Sequence, residues 1–289
     1  MAAGRTVTLG IVSPGAMGSA LGRTWAAEGH RVVATVAGRS ERTRGLATGL
    51  ELLPDLDAVV ATSDVVVSIC PPSAAEDVLT DVLAAAARTD ASPVLLDANA
   101  LAPDVVATLA ARASTAGLAL VDGSVSGGPP SPDGDTVLYL SGPRADEIAS
   151  LAARHLRRRV VGPRVGQASA VKMCTASVYK GTTAIWAQAL ESAEALGVLD
   201  VVLHDLGEEF PQQVAGAGRR IAVATAKSDR FIAEMEHIAR TQAGAGTSPE
   251  LFEGMAAVYR RLAATPLAAS SPEEAAALTD LREVLSRLV

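Results

Sequence analysis

Residues 6–18 read TVTLGIVSPGAMG, and the order of features in them decides the fold. Thr6–Ser13 is an apolar, β-branched run of strand length. Ser13-Pro14-Gly15-Ala16-Met17-Gly18 follows it, and Met17–Gly29 then carries helical spacing. Strand, glycine turn and helix in that order match the G-x-G-x-x-G dinucleotide pattern, with Ser13 standing at the first glycine. The glycines have physical jobs: Gly15 lets backbone approach a pyrophosphate, and Gly18 lets the helix pack closely on the strand. The helix N-terminus then aims its unpaired N–H groups at the anion. Ser13, Pro14, Gly15, Ala16, Met17 and Gly18 are therefore candidate cofactor-binding residues.

The pattern continues outward from this unit. Arg31–Ala37, Asp64–Cys70, Pro93–Asp97, Leu118–Val121 and Thr136–Leu140 read as further strands. Helical spacing over Glu41–Gly49, Ser73–Arg88 and Pro103–Ala116 separates them. Strands that are apolar throughout are buried on both faces, as in a parallel sheet covered by helices. The expectation is a Rossmann-like, doubly wound α/β domain over residues 1–165. Beyond Gly166 strand signals fade, and Ser169–Leu196 is a long run free of proline. Pro211–Ala226, Ser228–Ala243, Pro249–Ala263 and Pro272–Leu288 also have helical spacing, with Ser271-Pro272-Glu273-Glu274 the clearest start signal. Residues 166–289 are expected to form an all-helical substrate and dimerisation domain.

Composition bounds the function. A chain of 289 residues suggests two domains, and 49% hydrophobic residues with 3% aromatics implies cores of Ala, Val and Leu. The formal charge of -7 argues against nucleic acid as a partner, because phosphate neutralisation needs clustered cations. The one basic run, Arg154–Arg159, reads as a solvated helix end. Cys70 and Cys174 lack metal or disulfide spacing and read as small buried hydrophobes. Glu234 and His237 share a helix face, but without further ligands they read as a surface or interface pair, and no metal is expected. No signal peptide or membrane-spanning run is recognisable, so the expected location is the cytoplasm. No G-x-S-x-G motif accompanies the histidines, which disfavours serine hydrolysis.

The end of the second strand bears on which dinucleotide binds. An Asp or Glu about 20 residues past the glycines accepts from the ribose 2′-OH in NAD sites. Here that region is Ala37-Gly38-Arg39-Ser40-Glu41, with no acid at the strand's end. Arg39 and Ser40 suit a 2′-phosphate through charge-assisted hydrogen bonds, so NADP(H) is the expected cofactor. Asn99 joins the cofactor set because it follows a strand's carboxyl end, where ligands of open sheets bind, and is otherwise a turn residue; Cys70 and Pro71, at the end of the Asp64–Cys70 run, are expected in the same set.

Three further segments carry a resemblance: Asp97-Ala98-Asn99-Ala100, Asp122-Gly123-Ser124-Val125-Ser126-Gly127-Gly128, and Gly166–Lys172. With the glycine turn they resemble the β-hydroxyacid dehydrogenase superfamily, which includes 3-hydroxyisobutyrate and 6-phosphogluconate dehydrogenases and has imine reductases as relatives. The helical half is most similar to a poorly characterised branch with a phosphogluconate-dehydrogenase-like C-terminal domain, through Lys172-Met173-Cys174, Tyr179-Lys180-Gly181 and Glu234-Met235-Glu236. The resemblance implies that Ser126, Gly127 and Gly128 bind a substrate carboxylate, with Ser124 adding a hydroxyl where the family has proline. It places the catalytic lysine on Lys172, as acid/base at the reacting oxygen. The family's asparagines three and four residues on are here Thr175 and Ala176; Thr175, Ser177 or Lys180 are the available substitutes, and Thr175 joins the substrate set.

The implied activity is hydride transfer between NADPH and a small carbonyl or hydroxy compound bearing a carboxylate. The chain is too short for phosphogluconate itself to be the expected substrate. Imine reduction and non-catalytic NADPH binding stay open as alternatives, the latter because of Ser13 and the missing asparagines. The resemblance also implies a homodimer through the helical domain, with residues of Asp229–His237 reaching the partner's site.

Overall fold

A computed structural model describes residues 6–288, which form two compact units, the first ending at Met173 and the second beginning at Cys174. The first unit is built on eight strands: β1 (Thr8–Ile11), β2 (Arg31–Ala34), β3 (Glu51–Leu52), β4 (Val65–Ser68), β5 (Val94–Asp97), β6 (Leu120–Ser126), β7 (Val137–Ser141) and β8 (Arg157–Gly162). They lie in the order β3-β2-β1-β4-β5-β6-β7-β8, all neighbours parallel except the antiparallel pair β6–β7. The chain steps outward from β1 to β3 and returns to β4 on the other side of β1. Between β1 and β4 the winding reverses, and the crevice beyond their carboxyl ends is where such sheets bind ligands.

Six helices belong to this sheet: α1 (Ala16–Ala26), α2 (Glu41–Leu46), α3 (Leu56–Thr62), α4 (Ala75–Thr89), α5 (Pro103–Thr115) and α6 (Ala145–Ser150). Leu9, Ile11, Val65, Val67 and Leu96 turn to one face and pack with Leu21, Trp25 and Ile148 of α1 and α6. Val66 and Leu95 turn to the other, against Val60, Leu79, Val82, Val106 and Leu109 of α3, α4 and α5. This two-sided burial is the reason the strands read as unbroken apolar runs.

Several boundaries differ from expectation. Helix α1 stops at Ala26, because the chain turns over Gly29 at φ +88° before β2. Helix α2 stops at Leu46 rather than Gly49. The short β3 and α3, around Pro54, have no counterpart in the sequence reading. Strand β6 continues beyond Val121 to Ser126, since Gly123 to Ser126 pair with Leu140 to Val137 across the antiparallel join. The basic run is not a helix end: Arg157–Gly162 is β8, an edge strand parallel to β7. The Arg158 guanidinium donates to the carbonyls of Ala149, Ala153 and Leu156, so charge there ties down the chain leaving α6. Cys174 is exposed and Cys70 only half-buried, so neither is the core residue expected.

Helix α7 (Gln167–Ala195) is 29 residues long and continuous through Gly181. The second unit continues with α8 (Leu199–Glu209), α9 (Pro211–Ala215), α10 (Ala217–Thr225), α11 (Ser228–Gly244), α12 (Glu250–Ala263), α13 (Pro272–Ala277) and α14 (Leu281–Ser286). The start signal expected at Ser271 opens α13, where Ser271 forms a capping box with Glu274. Met235 and Ile238 of α11 and Met255, Tyr259 and Leu262 of α12 are buried. Glu234 is not a surface residue: it is fully buried and pairs with Lys180 and, at 2.6 Å, with Arg230. Tyr259 donates its hydroxyl to the Lys180 carbonyl at 2.8 Å, fixing α7 beside this cluster. Among the described residues no helix is long and apolar enough to cross a membrane.

Candidate active site

The turn after β1 is drawn tight by its own backbone. Gly15 N–H donates to the Ser13 carbonyl at 2.8 Å, and the buried Ser19 hydroxyl donates to the Pro14 carbonyl at 2.6 Å. A side chain at Gly18 would put its Cβ 2.3 Å from the Ser13 carbonyl oxygen, so only glycine fits there. At Gly15, by contrast, nothing lies within 4 Å of where a Cβ would stand, which leaves room for a ligand against the backbone. Ser13 does not have a positive φ, so the turn needs no glycine at that point and the substitution is accommodated. Helix α1 opens at Gly15 with no side-chain cap and no acidic residue in its first turn, leaving its N–H groups for an anion. Ser19 was missed from sequence, since a serine inside a helix gives no sign that it holds a turn.

A cleft of about 210 Å³ opens beside this turn, lined among others by Ser13, Gly15, Arg39, Thr43, Cys70 and Pro71. Arg39 is exposed and reaches Ser13 Oγ at 3.5 Å, so the cation stands next to the glycine turn. Its own carbonyl accepts from Arg44 Nε at 3.2 Å, bringing a second guanidinium alongside. Ser40 caps α2, its hydroxyl accepting from Thr43 N–H at 3.3 Å. The cleft lacks a carboxylate among its lining residues. Cys70 is a thiol here: burial chiefly pushes it up to about 11, with the Asp97 charge adding and Ser68 and Arg39 opposing.

Asn99 is placed behind the cleft wall. Its Oδ1 accepts from Cys70 N–H at 2.6 Å, and its Nδ2 donates to Ser68 Oγ at 3.1 Å and Asp97 Oδ2 at 2.8 Å. Asp97 also accepts from Asn99 N–H at 3.1 Å. Desolvation raises the Asp97 carboxyl to about 7, the Asn99 hydrogen bonds working against this and the nearby Asp122 adding to it.

Asp122, the register partner of Asp97 on β6, organises a second cluster. Its carboxylate accepts from Ser141 Oγ at 2.8 Å, Gly166 N–H at 2.9 Å, Ser169 N–H at 3.1 Å and Ser169 Oγ at 2.6 Å. A buried carboxylate thus receives the otherwise unpaired donors at the start of α7 and pins the helix to β6. One turn further along, Lys172 donates from Nζ to the Val125 carbonyl at 2.8 Å. Ser124 projects from the same face of β6 as Asp122, and its Oγ is buried with no hydrogen-bond partner among the described residues. Ser126 is half-buried, and Gly127 and Gly128 are exposed, with Gly127 at φ +99°, a conformation that disfavours side chains. Thr175 is half-buried, one helical turn past Lys172 on α7.

The glycine turn, Arg39, Cys70 and Pro71 therefore gather at one cleft, and Ser124–Gly128 gather with Lys172 at the end of β6. Asp97 and Asp122, side by side, anchor the walls of both. Among the described residues no group of three or more His, Cys, Asp and Glu is placed to hold a metal ion. The uncapped α1 terminus, the space at Gly15 and the arginine-lined cleft fit the phosphates of a dinucleotide.

Comparison with known proteins agrees with this geometry. Residues 8–153 match the family described as the NAD binding domain of 6-phosphogluconate dehydrogenase, and residues 193–262 match a domain of unknown function (DUF1932). No curated protein is significantly similar in sequence. Among solved structures, a conserved hypothetical protein from Sinorhizobium meliloti 1021 is 24% identical, with 99% of this chain and 98% of that one covered and a TM-score of 0.68. The Mycobacterium tuberculosis 3-hydroxyisobutyrate dehydrogenase, solved with L-serine, is 19% identical, covers 98% and 99%, and has a TM-score of 0.67. An imine reductase from Streptomyces aurantiacus is 21% identical, covers 93% and 98%, and has a TM-score of 0.53. At these identities the structural likenesses show the fold. The sequence match spans just over half of the chain, and the chain accordingly belongs to the family of 6-phosphogluconate dehydrogenase NAD-binding domains.

Proposed function

We propose that the protein is an NADPH-dependent oxidoreductase acting on a small carbonyl or hydroxy compound that bears a carboxylate. The observation that carries the reading is the placement of Lys172, its Nζ held 2.8 Å from the Val125 carbonyl on a helix that Asp122 fixes to β6. A nicotinamide cofactor held at the glycine turn would supply the hydride chemistry at the substrate carbon. Lys172 gives a proton to the oxygen that gains charge on reduction, or takes it back on oxidation, stabilising the developing alkoxide. The hydroxyl of Ser124, buried without a partner among the described residues, gains a hydrogen bond when a polar substrate group arrives, which favours binding. The backbone N–H groups around Gly127 and Gly128, with the Ser126 hydroxyl, suit a carboxylate.

The NADPH preference rests on Arg39 next to Ser13 and on the missing acid at the end of β2. Arg39→Ala is expected to weaken NADPH binding about 10- to 100-fold, the range for hydrogen bonds to a charged group, and to leave NADH binding unchanged. Titration of cofactor fluorescence reads both. If neither nucleotide binds the wild type, the enzymatic reading falls with the cofactor.

The same reading includes a homodimer through the helical unit. Val178, Tyr179 and Ile185 of α7 and Val201 of α8 are 57–73% exposed, large apolar side chains that a second copy would cover. Light scattering on the purified protein is expected to give twice the chain mass, falling to one chain mass in Val178→Glu/Ile185→Glu. A monomeric wild type removes this part of the proposal.

A further inference from the structure

Asp97 is 4% exposed and stands where an acid is costly. Val66, Val78, Leu79, Val82 and Leu120 line a small apolar hollow beside it, and the other residues of β5, Val94, Leu95 and Leu96, are all apolar. A sheet strand with this packing has no structural need of a carboxylate, and burying one disfavours the charged form. What the carboxylate does there is receive both donors of one residue, Asn99 N–H and Asn99 Nδ2. Asn99 in turn reaches across to the end of β4, accepting from Cys70 N–H at 2.6 Å and donating to Ser68 Oγ at 3.1 Å. Cys70 and Pro71 line the cleft beside the glycine turn.

We infer that Asp97 is a positioning residue for that cleft: acting through Asn99, its carboxylate fixes the Cys70 N–H and the Ser68–Pro71 wall against which the cofactor lies. The inference rests on the reading of the cleft as the dinucleotide site. Asp97 is the charged one of the partners that set the direction of the Asn99 amide, beside Ser68 and Cys70. The carboxylate at Nδ2 holds Oδ1 toward the Cys70 N–H; without it, Nδ2 keeps only the Ser68 hydroxyl and the tether to the wall weakens.

The hold strengthens with charge, because an ionised carboxylate accepts hydrogen bonds more strongly than a neutral acid. The groups facing the carboxyl are Asp122 from β6, Ser68 and Cys70 from the end of β4, and the apolar side chains of α4. Burial first, then Asp122, bring its ionisation to about 7, so the tether tightens as pH rises through neutrality.

The test measures NADPH affinity of the full chain by cofactor fluorescence at about pH 5.5 and about pH 8.5, on either side of that ionisation. Wild type, Asp97→Asn, Asn99→Ala and the double variant are compared at each pH, so titration of the 2′-phosphate cancels in the ratios. At the higher pH each variant is expected to bind about tenfold more weakly, as for loss of one hydrogen bond to a charged group. The double variant is expected to be no worse than either single one, and the deficit to narrow at the lower pH. A deficit that does not change with pH, or no deficit at the higher pH, overturns the inference. Should Asp97→Asn fail to fold, Asn99→Ala alone carries the same comparison, since it removes the relay and keeps the acid.

A second readout works without nucleotide: the rate of Cys70 modification by a thiol reagent in a Cys174→Ser background. It should rise in Asn99→Ala and Asp97→Asn as the wall loosens. An unchanged rate overturns the tether, whereas failure of the wild type to bind any nucleotide overturns the cofactor reading instead.

Discussion

Lys172→Ala is expected to lower kcat for reduction of a carbonyl substrate by about 10²- to 10⁴-fold, the usual worth of a positioned general acid. NADPH affinity should be unchanged, because the cofactor cleft lies at the β1 and β4 ends and Lys172 does not line it. Lys172→Arg separates proton transfer from simple charge. A guanidinium keeps the cation near the Val125 carbonyl but does not release its proton in the working range. Activity that stays low in Lys172→Arg therefore identifies the proton as the contribution of this residue, while recovery would make Lys172 an electrostatic anchor. Turnover of a cyclic imine that survives Lys172→Ala would point to C=N reduction, where a protonated imine needs no further acid.

Asp122→Ala is expected to be the most damaging substitution for stability. It removes the acceptor of four hydrogen bonds at once and leaves buried donors at Ser141, Gly166 and Ser169 without partners. Each buried unsatisfied group costs about 1–3 kcal/mol before relaxation, so a loss on the order of 3–5 kcal/mol is expected in denaturant unfolding. Asp122→Asn keeps one oxygen acceptor and should lose less. Whatever folded protein remains should also have lowered kcat, since the turn of α7 that carries Lys172 is held through Ser169. An unfolding midpoint close to wild type would show that water replaces the carboxylate and that the α7 anchor lies elsewhere.

The parts of the molecule legible in the sequence were those whose chemistry is local. The β1–turn–α1 unit was readable because burial on both faces, a tight turn and a helix start each impose their own residue types on consecutive positions. Ser271 announced α13 for the same reason, through a capping box within four residues. Features set by distant partners were not legible. β3 is two residues long and exists through pairing with β2, so no run of its own announces it. The arginines of β8 hid a strand, because the cationic heads take backbone carbonyls from the chain around α6. Asn99 was recognisable as standing at a ligand-binding end of the sheet, but which way its amide points depends on Asp97, Ser68 and Cys70 together. Glu234 reads from sequence as part of a surface or interface pair with His237, because its partner Lys180 lies 54 positions earlier in the chain.

The two borders of the sheet have a consequence for how this protein behaves in a crowded solution. A border strand with free N–H and C=O groups invites another chain to continue the sheet, and from there fibrils grow. One border here, β3, is two residues long and offers almost nothing to template. The other, β8, carries exposed charged side chains at its start, Arg159 and the Asp135-paired Arg157, which an approaching strand would have to desolvate. A sheet of eight strands is in this way made finite at both ends, and growth by strand addition is closed to a chain that is half apolar.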